Sequence, residues 1–282
     1  MTALATTGVG SLPFDRSVEA VRHGVRAYDI PFCPQLPALD GDMVREWLGA
    51  DPRRCGWSAG RDRERPTTWE AFLAACEAHN LRLVKLQVTG PMTLAFALER
   101  AAGRAGPGRA TCALAADVAL WLAANAAGQV RALAERGIDA LLVVDEPGLA
   151  QAASLDAAPI WDPLRNTGAA SWGLHVCGPV PWDLVGEIGP RVLSFDAVRY
   201  EPGPIAADLR IAWGVIDPVA PDDFVAVAAR IRRCVAGRDP ERDLLTPTCG
   251  TGRLSPARER LVAAVLGAAA ATVRAELGAD VR

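Results

Sequence analysis

The sequence predicts an α/β protein built as a (β/α)8 TIM barrel, and three observations carry that reading. Short runs rich in Val, Leu and Ile alternate with longer helical stretches along the whole chain. Eight such runs occur, each followed by a crossover segment, which suits a closed parallel barrel better than an open sheet. Polar or metal-binding side chains cluster where these runs end, while the run interiors are Val, Leu, Ile and Ala. Enzymes of this architecture build their sites from the loops after the strand C-termini.

The strand candidates are 5–11, 26–32, 82–89, 138–145, 171–177, 192–198, 209–217 and 243–249. Helical stretches fall at 15–27, 67–79, 111–136, 221–236 and 255–277. Two of them have clear starts. Ser255-Pro256 is an N-cap followed by proline at the first helical position, and Thr67 and Thr68 precede an apolar-periodic stretch. An open doubly wound sheet is the alternative, but no G-x-G-x-x-G follows the first run. The segment 55–66, rich in Arg, Asp and Gly, reads as a surface loop, and 154–167 as a second irregular piece. With no composition shift and no internal repeat, the expectation is one barrel domain spanning 1–282.

Of the 282 residues half are hydrophobic, and the formal net charge is -3. That balance gives no reason to expect nucleic acid or a membrane surface as partner. The Ala-rich run 262–273, bounded by Arg260 and Arg274, reads as a packed helix too short to span a bilayer. Lys85 is the only lysine, so Schiff-base chemistry has one candidate, and it lies inside an apolar strand rather than at its end. Seven cysteines without close pairing, and a start lacking the features of a secretory leader, point to a reducing cytoplasm.

The sharpest chemical signal is Ser171-Trp-Gly-Leu-His-Val-Cys-Gly178, where His175 and Cys177 stand two apart. On an extended strand that spacing points both side chains to one face. A further thiol, Cys249, follows the last strand, and Asp196 adds a carboxylate at the end of another. Two sulfurs and a nitrogen with a possible oxygen fit Zn2+ better than Mg2+ or Ca2+, which prefer all-oxygen shells. The bland readings are a buried His–Cys core pair and, for Asp196, a helix-cap or supporting acceptor.

The other strand ends carry Gly10-Ser11, Cys33-Pro-Gln35, Thr89-Gly90-Pro91, Asp145-Glu146-Pro147 and Asp217-Pro218. Ser11 could cap a turn, and Asp145-Glu146 could form an ordinary strand-end turn. Glu146 is expected to brace the metal ligands or a neighbouring loop. Asp217 reads as structural before catalytic, Cys33 as a buried thiol, and Cys55, Cys76, Cys112 and Cys234 as bystanders. His23 and His79 read as surface residues on helices. The run Gly250-Thr-Gly-Arg253 reads as a tight turn beside the metal in preference to a phosphate cup.

The ordered series Val9-Gly-Ser-Leu-Pro13, Val88-Thr-Gly-Pro-Met-Thr93, Val144-Asp-Glu-Pro147, His175-Val-Cys177, Trp213-Gly-Val-Ile-Asp217 and Pro247-Thr-Cys-Gly250 resembles the catalytic barrel of cobalamin-independent methionine synthase. The match covers nearly the whole chain, about residues 6 to 260. The resemblance implies a zinc that binds the homocysteine thiol, held by His175, Cys177 and Cys249, with Asp196 where the family has a glutamate ligand. It also implies that Ser11 and Asp145 hold the carboxylate and ammonium of the amino acid. The chain has no room for the family's second, N-terminal barrel. The family's amine-binding glutamate falls near Leu36, with Asp40 or Asp42 as candidate substitutes. A histidine expected after Ile216-Asp217 is replaced by Pro218 and Val219, and a tryptophan expected after Gly90-Pro91 by Phe96 and Ala97.

Together these features imply a zinc-dependent methyltransferase that methylates homocysteine to methionine. The losses favour a methylated corrinoid, or a corrinoid-carrying partner, over methyl-tetrahydrofolate, because no leaving amine then needs a proton. Alternatives are a coenzyme M type thiol alkyltransferase, a tetrapyrrole decarboxylase of similar shape, and a non-catalytic zinc or thiol binder.

Overall fold

In the computed structural model, which describes residues 2–48, 67–104 and 108–280, seven parallel strands lie side by side in the order β1-β7-β6-β5-β4-β3-β2. They are β1 (Ala5–Thr6), β2 (Leu83–Thr89), β3 (Asp139–Asp145), β4 (Ser171–Val176), β5 (Val192–Asp196), β6 (Arg210–Ile216) and β7 (Leu244–Pro247). The segment 29–33 fills the gap between β1 and β2. Ile30 N donates to Thr6 O, Cys33 N to Lys85 O, and Lys85 N to Pro31 O. These bonds close an eight-stave (β/α)8 barrel. The expected strand 26–32 does not form as such. The helix before it runs on through Ala27, and the stave keeps only an isolated Phe32–Lys85 bridge. Pro31 has no N–H to give to a ladder, which accounts for the lost regularity.

Period-two alternation sorts each strand into an inner and an outer face. Outward residues such as Val84, Leu142, Leu174, Phe195, Trp213 and Leu245 join the main apolar core beneath the helices. Inward residues Ala5, Ile30, Leu141, Val143, Val192, Ala212 and Leu244 pack in the barrel interior. Asp145, His175, Ser194 and Asp196 share that inner parity one or two layers higher, so the strand periodicity alone aims them at the barrel mouth.

The helices are α1 (Ser17–Ala27), α2 (Pro37–Asp40), α3 (Met43–Leu48), α4 (Trp69–Ala78), α5 (Pro91–Ala101), α6 (Arg109–Ala134), α7 (Asp162–Arg165), α8 (Trp182–Ile188), α9 (Phe224–Val235) and α10 (Pro256–Asp280). By length and composition α6 and the stretch Pro256–Ala279 could cross a membrane. Each nevertheless turns an apolar stripe to the barrel, Val118, Leu122, Ala126 and Val130 on α6, and Val262, Leu266, Ala269 and Val273 on α10. The run 262–273 is thus the middle of a helix 25 residues long, which matches the helical stretch expected over 255–277. The segment 55–66, with Cys55, lies outside the described residues.

Candidate active site

The C-terminal ends of the staves open into a cavity of about 570 Å3. His175 sits on the last turn of pleat in β4, with Cys177 just beyond the strand end and Cys249 in the loop after β7; all three line the cavity. His175 Nδ1 is hydrogen-bonded to Ser194 Oγ at 2.9 Å, which fixes the ring and leaves the buried Nε2 without a hydrogen bond. The neighbouring Cys177 thiol, then the His175 imidazole, pulls the Cys249 thiol well below its ordinary value. The same contact, with burial, pushes Cys177 upward. The contact thus favours Cys249 over Cys177 as the sulfur that gives up its proton.

Asp145 ends β3 directly beside His175 in the strand register. It is buried, lines the cavity, and its Oδ1 has no hydrogen-bond partner. Burial pushes its carboxyl up to about 6, against the opposing charges of Lys85 and His175. Lys85 lies deeper, buried on the inner face, where burial lowers it to about 8. Its Nζ donates to Val9 O and, at 3.3 Å, to Gln87 Oε1. Lys85 is thus a crosslink inside the barrel wall.

Glu146 faces away from the cavity. It accepts hydrogen bonds from Met92 N (3.2 Å), Thr93 N (2.6 Å), the Thr93 hydroxyl and Trp161 Nε1 (3.2 Å). It caps α5 and so braces the neighbouring loop. Burial raises its carboxyl to about 7, with those bonds opposing the rise. Gly90 permits the contact, since a Cβ there would stand 2.0 Å from Glu146 Oε2.

Asp196 lines the cavity while its Oδ1 accepts the turn amides of Val198 (2.9 Å) and Arg199 (3.0 Å). Its Oδ2 stands 3.8 Å from Arg199 Nε, and the same guanidinium reaches Asp217 Oδ2 at 3.0 Å. Asp217 also accepts from Val219 N through its Oδ1. Across the mouth, Ser11 Oγ accepts from Gly252 N at 3.3 Å, and Ser11 O from Thr251 N at 3.0 Å. Gly10 O accepts from Gln35 N, and Gln35 Nε2 donates to Glu46 Oε2 at 2.5 Å.

Two cavity residues, Glu46 and Arg199, have no counterpart in the sequence reading, and Arg253 enters it only as the end of the turn Gly250-Thr-Gly-Arg253. Glu46 brings its carboxylate to the cavity from α3, whereas Leu36 is fully buried. The i, i+3 step from Asp196 could have flagged Arg199. Cys33 is a buried thiol as expected, 3.5 Å from Thr68 Oγ1. His79 is exposed, but His23 is not a surface residue: its Nε2 pairs at 2.8 Å with the buried Glu259.

Among the described residues no group of three or more His, Cys, Asp or Glu side chains stands close enough to hold a metal ion. The donor chemistry nevertheless suits zinc. A buried imidazole nitrogen without a hydrogen bond and two thiols close enough to shift each other's protonation line one cavity. A metal would have to draw His175, Cys177 and Cys249 nearer than they stand. Asp196, engaged by its turn, is the least available donor.

No protein-family model and no curated protein matches the chain. Among solved structures, a methyltransferase from Methanosarcina mazei aligns over 96% of this chain and 94% of its own, with TM-score 0.57 and 14% identity. A B12-independent methionine synthase from Shewanella sp. W3-18-1, solved in complex with selenomethionine, aligns over 99% of this chain and 100% of its own, with TM-score 0.71 and 16% identity. The resemblance noted in the sequence motifs thus extends to the fold, and the chain shares the barrel architecture of that methionine synthase over nearly its entire length.

Proposed function

We propose that the protein is a zinc-dependent methyltransferase that transfers a methyl group to the thiol of homocysteine, forming methionine. The observation that carries this reading is that His175, Cys177 and Cys249 line one cavity together with Asp145. Zinc would be held by those three side chains, with Ser194 orienting the imidazole. When bound, such a zinc keeps a coordinated thiol deprotonated at neutral pH, where a free thiol is only a few per cent thiolate. Asp145 offers its unpartnered, cavity-facing oxygen to the ammonium group of the acceptor. The walls hold the acceptor in line with the donor, and alignment of this kind is worth up to roughly 7–11 kcal/mol of barrier.

The donor we favour is a methylated corrinoid, free or on a carrier protein, over methyl-tetrahydrofolate. Among the described cavity residues the only imidazole is His175 and there is no lysine, so a departing amine would lack an obvious proton donor. A methylated corrinoid needs none. The methionine analogue bound to the Shewanella protein supports an acceptor of methionine shape.

Metal analysis of freshly purified protein should find about one zinc per chain, and Cys249→Ala should lose most of it. Protein lacking zinc altogether would sink the reading. Incubation with homocysteine should yield methionine from methylcobalamin and not from methyl-tetrahydrofolate. If coenzyme M is methylated in preference to homocysteine, the acceptor assignment is wrong.

A further inference from the structure

Charge on the cavity wall is lopsided: Asp40, Asp42, Glu46, Asp145, Asp196 and Asp217 face two guanidiniums, Arg199 and Arg253. Most of these groups are already engaged within the protein. Asp42 Oδ1 accepts from Val44 N and Arg45 N, and the Thr67 hydroxyl donates to Asp40 Oδ1. Glu46 takes the Gln35 amide, and Asp196 and Asp217 serve their turns and Arg199. Two groups remain. Asp145 is buried with a bare Oδ1, and Arg253 is exposed on the cavity wall with no hydrogen bond or ion pair among the described residues.

The buried carboxylate of Asp145 and the open guanidinium of Arg253 in the same cavity match a ligand that carries both charges. We infer that Arg253 is the carboxylate anchor of this site, selecting α-amino-acid acceptors over amines and thiols that lack the carboxylate. The surrounding turn supports that role. Gly252 N is tied to Ser11 Oγ and Thr251 N to Ser11 O, so Arg253 leaves a loop pinned to the first stave. Ser11 Oγ is already an acceptor there, which makes it a poor sole holder of a carboxylate, although its own proton remains available to one. The planar guanidinium can bind both carboxylate oxygens at once, and solvent at the rim lets it keep its charge when no ligand is present.

The inference rests on the cavity being an amino-acid thiol site, and binding measurements separate the two. L-Methionine and its decarboxylated analogue, 3-(methylthio)propylamine, are titrated calorimetrically into the full-length protein. Neither needs a methyl donor or turnover. The wild type should bind methionine at least about tenfold more tightly than the amine. Arg253→Gln should weaken methionine about ten- to hundredfold while moving the amine less than about twofold, and Arg253→Lys should restore part of the preference. Equal binding of the two ligands by the wild type overturns the inference. So does a variant that weakens both alike, or neither. Zinc content and homocysteine methylation by the wild type then decide separately whether the thiol-methylation reading stands.

Discussion

At Gly250 the chain has no space for a side chain. A Cβ there would lie 2.2 Å from Ser11 Oγ and 3.3 Å from Ser11 N, and the second of these is backbone that cannot rotate aside. Gly250→Ala must therefore lift the loop that carries Cys249 off the first stave. The expected result is zinc content reduced at least several-fold, with a global stability loss of only about 1–3 kcal/mol, the usual cost of overpacking. Metal analysis with urea unfolding checks it, and full zinc loading in the variant would refute it. Single residues were partly legible in the sequence. His175, Cys177 and Asp145 were readable because strand parity places them on one face before any packing is known. Glu46 was not, and Arg253 was visible only as the end of a turn, since which groups stay unengaged depends on Gln35, Thr67 and the turns that satisfy the others.

The element between β2 and α6 shows the same division. Pro91 stands in the sequence only as part of a strand end, yet it occupies the first position of an 11-residue helix, where its fixed φ is favourable and its missing N–H costs nothing. What starts this helix is Glu146, fifty-odd residues on in the chain, which accepts both Met92 N and Thr93 N. No local pattern could reveal that cap. The arrangement leaves a pH signature. Burial holds Glu146 up at about 7 against an ordinary 4.5, so the folded state retains a proton that the unfolded chain releases. Its stability contribution is full below about pH 4.5 and declines as pH rises through 7. Glu146→Gln cannot titrate. Between pH 4.5 and 8 the wild type should lose about 1–3 kcal/mol more stability than the variant, by urea unfolding at each pH. Parallel pH profiles for the two proteins would contradict the assignment.

For the whole molecule, the barrel was legible because eight short runs and their polar ends repeat, but its closure was not. The ring closes through its weakest stave. Seven residues of β2 pair with β3, whereas β1 pairs with β7 through Ala5 and Thr6 alone, and segment 29–33 contributes scattered bonds around Pro31. Side chains compensate. Lys85 reaches Val9 O, Gln87 reaches Cys33 O, and Phe32 packs edge-on against Tyr28 with its centroid 5.5 Å away, beneath Lys85 Nζ at 5.7 Å. Phe32 is fully buried and stands against Gly8, where a Cβ would come within 2.3 Å of its ring. Phe32→Ala should cost about 3–5 kcal/mol, and the loss should fall on one side of the barrel. In native-state hydrogen exchange the amides of Ile30, Cys33 and Lys85 should lose protection before those of β4 and β5, because sub-global opening starts where buried pairing is sparsest. The cavity wall built on Ser11 and Gln35 hangs from this seam, so thiol-ligand affinity should fall with it while the His175–Ser194 contact on the far wall persists. Uniform loss of protection around the ring would show instead that the staves open as one unit, and that the seam is as strong as the ladders beside it.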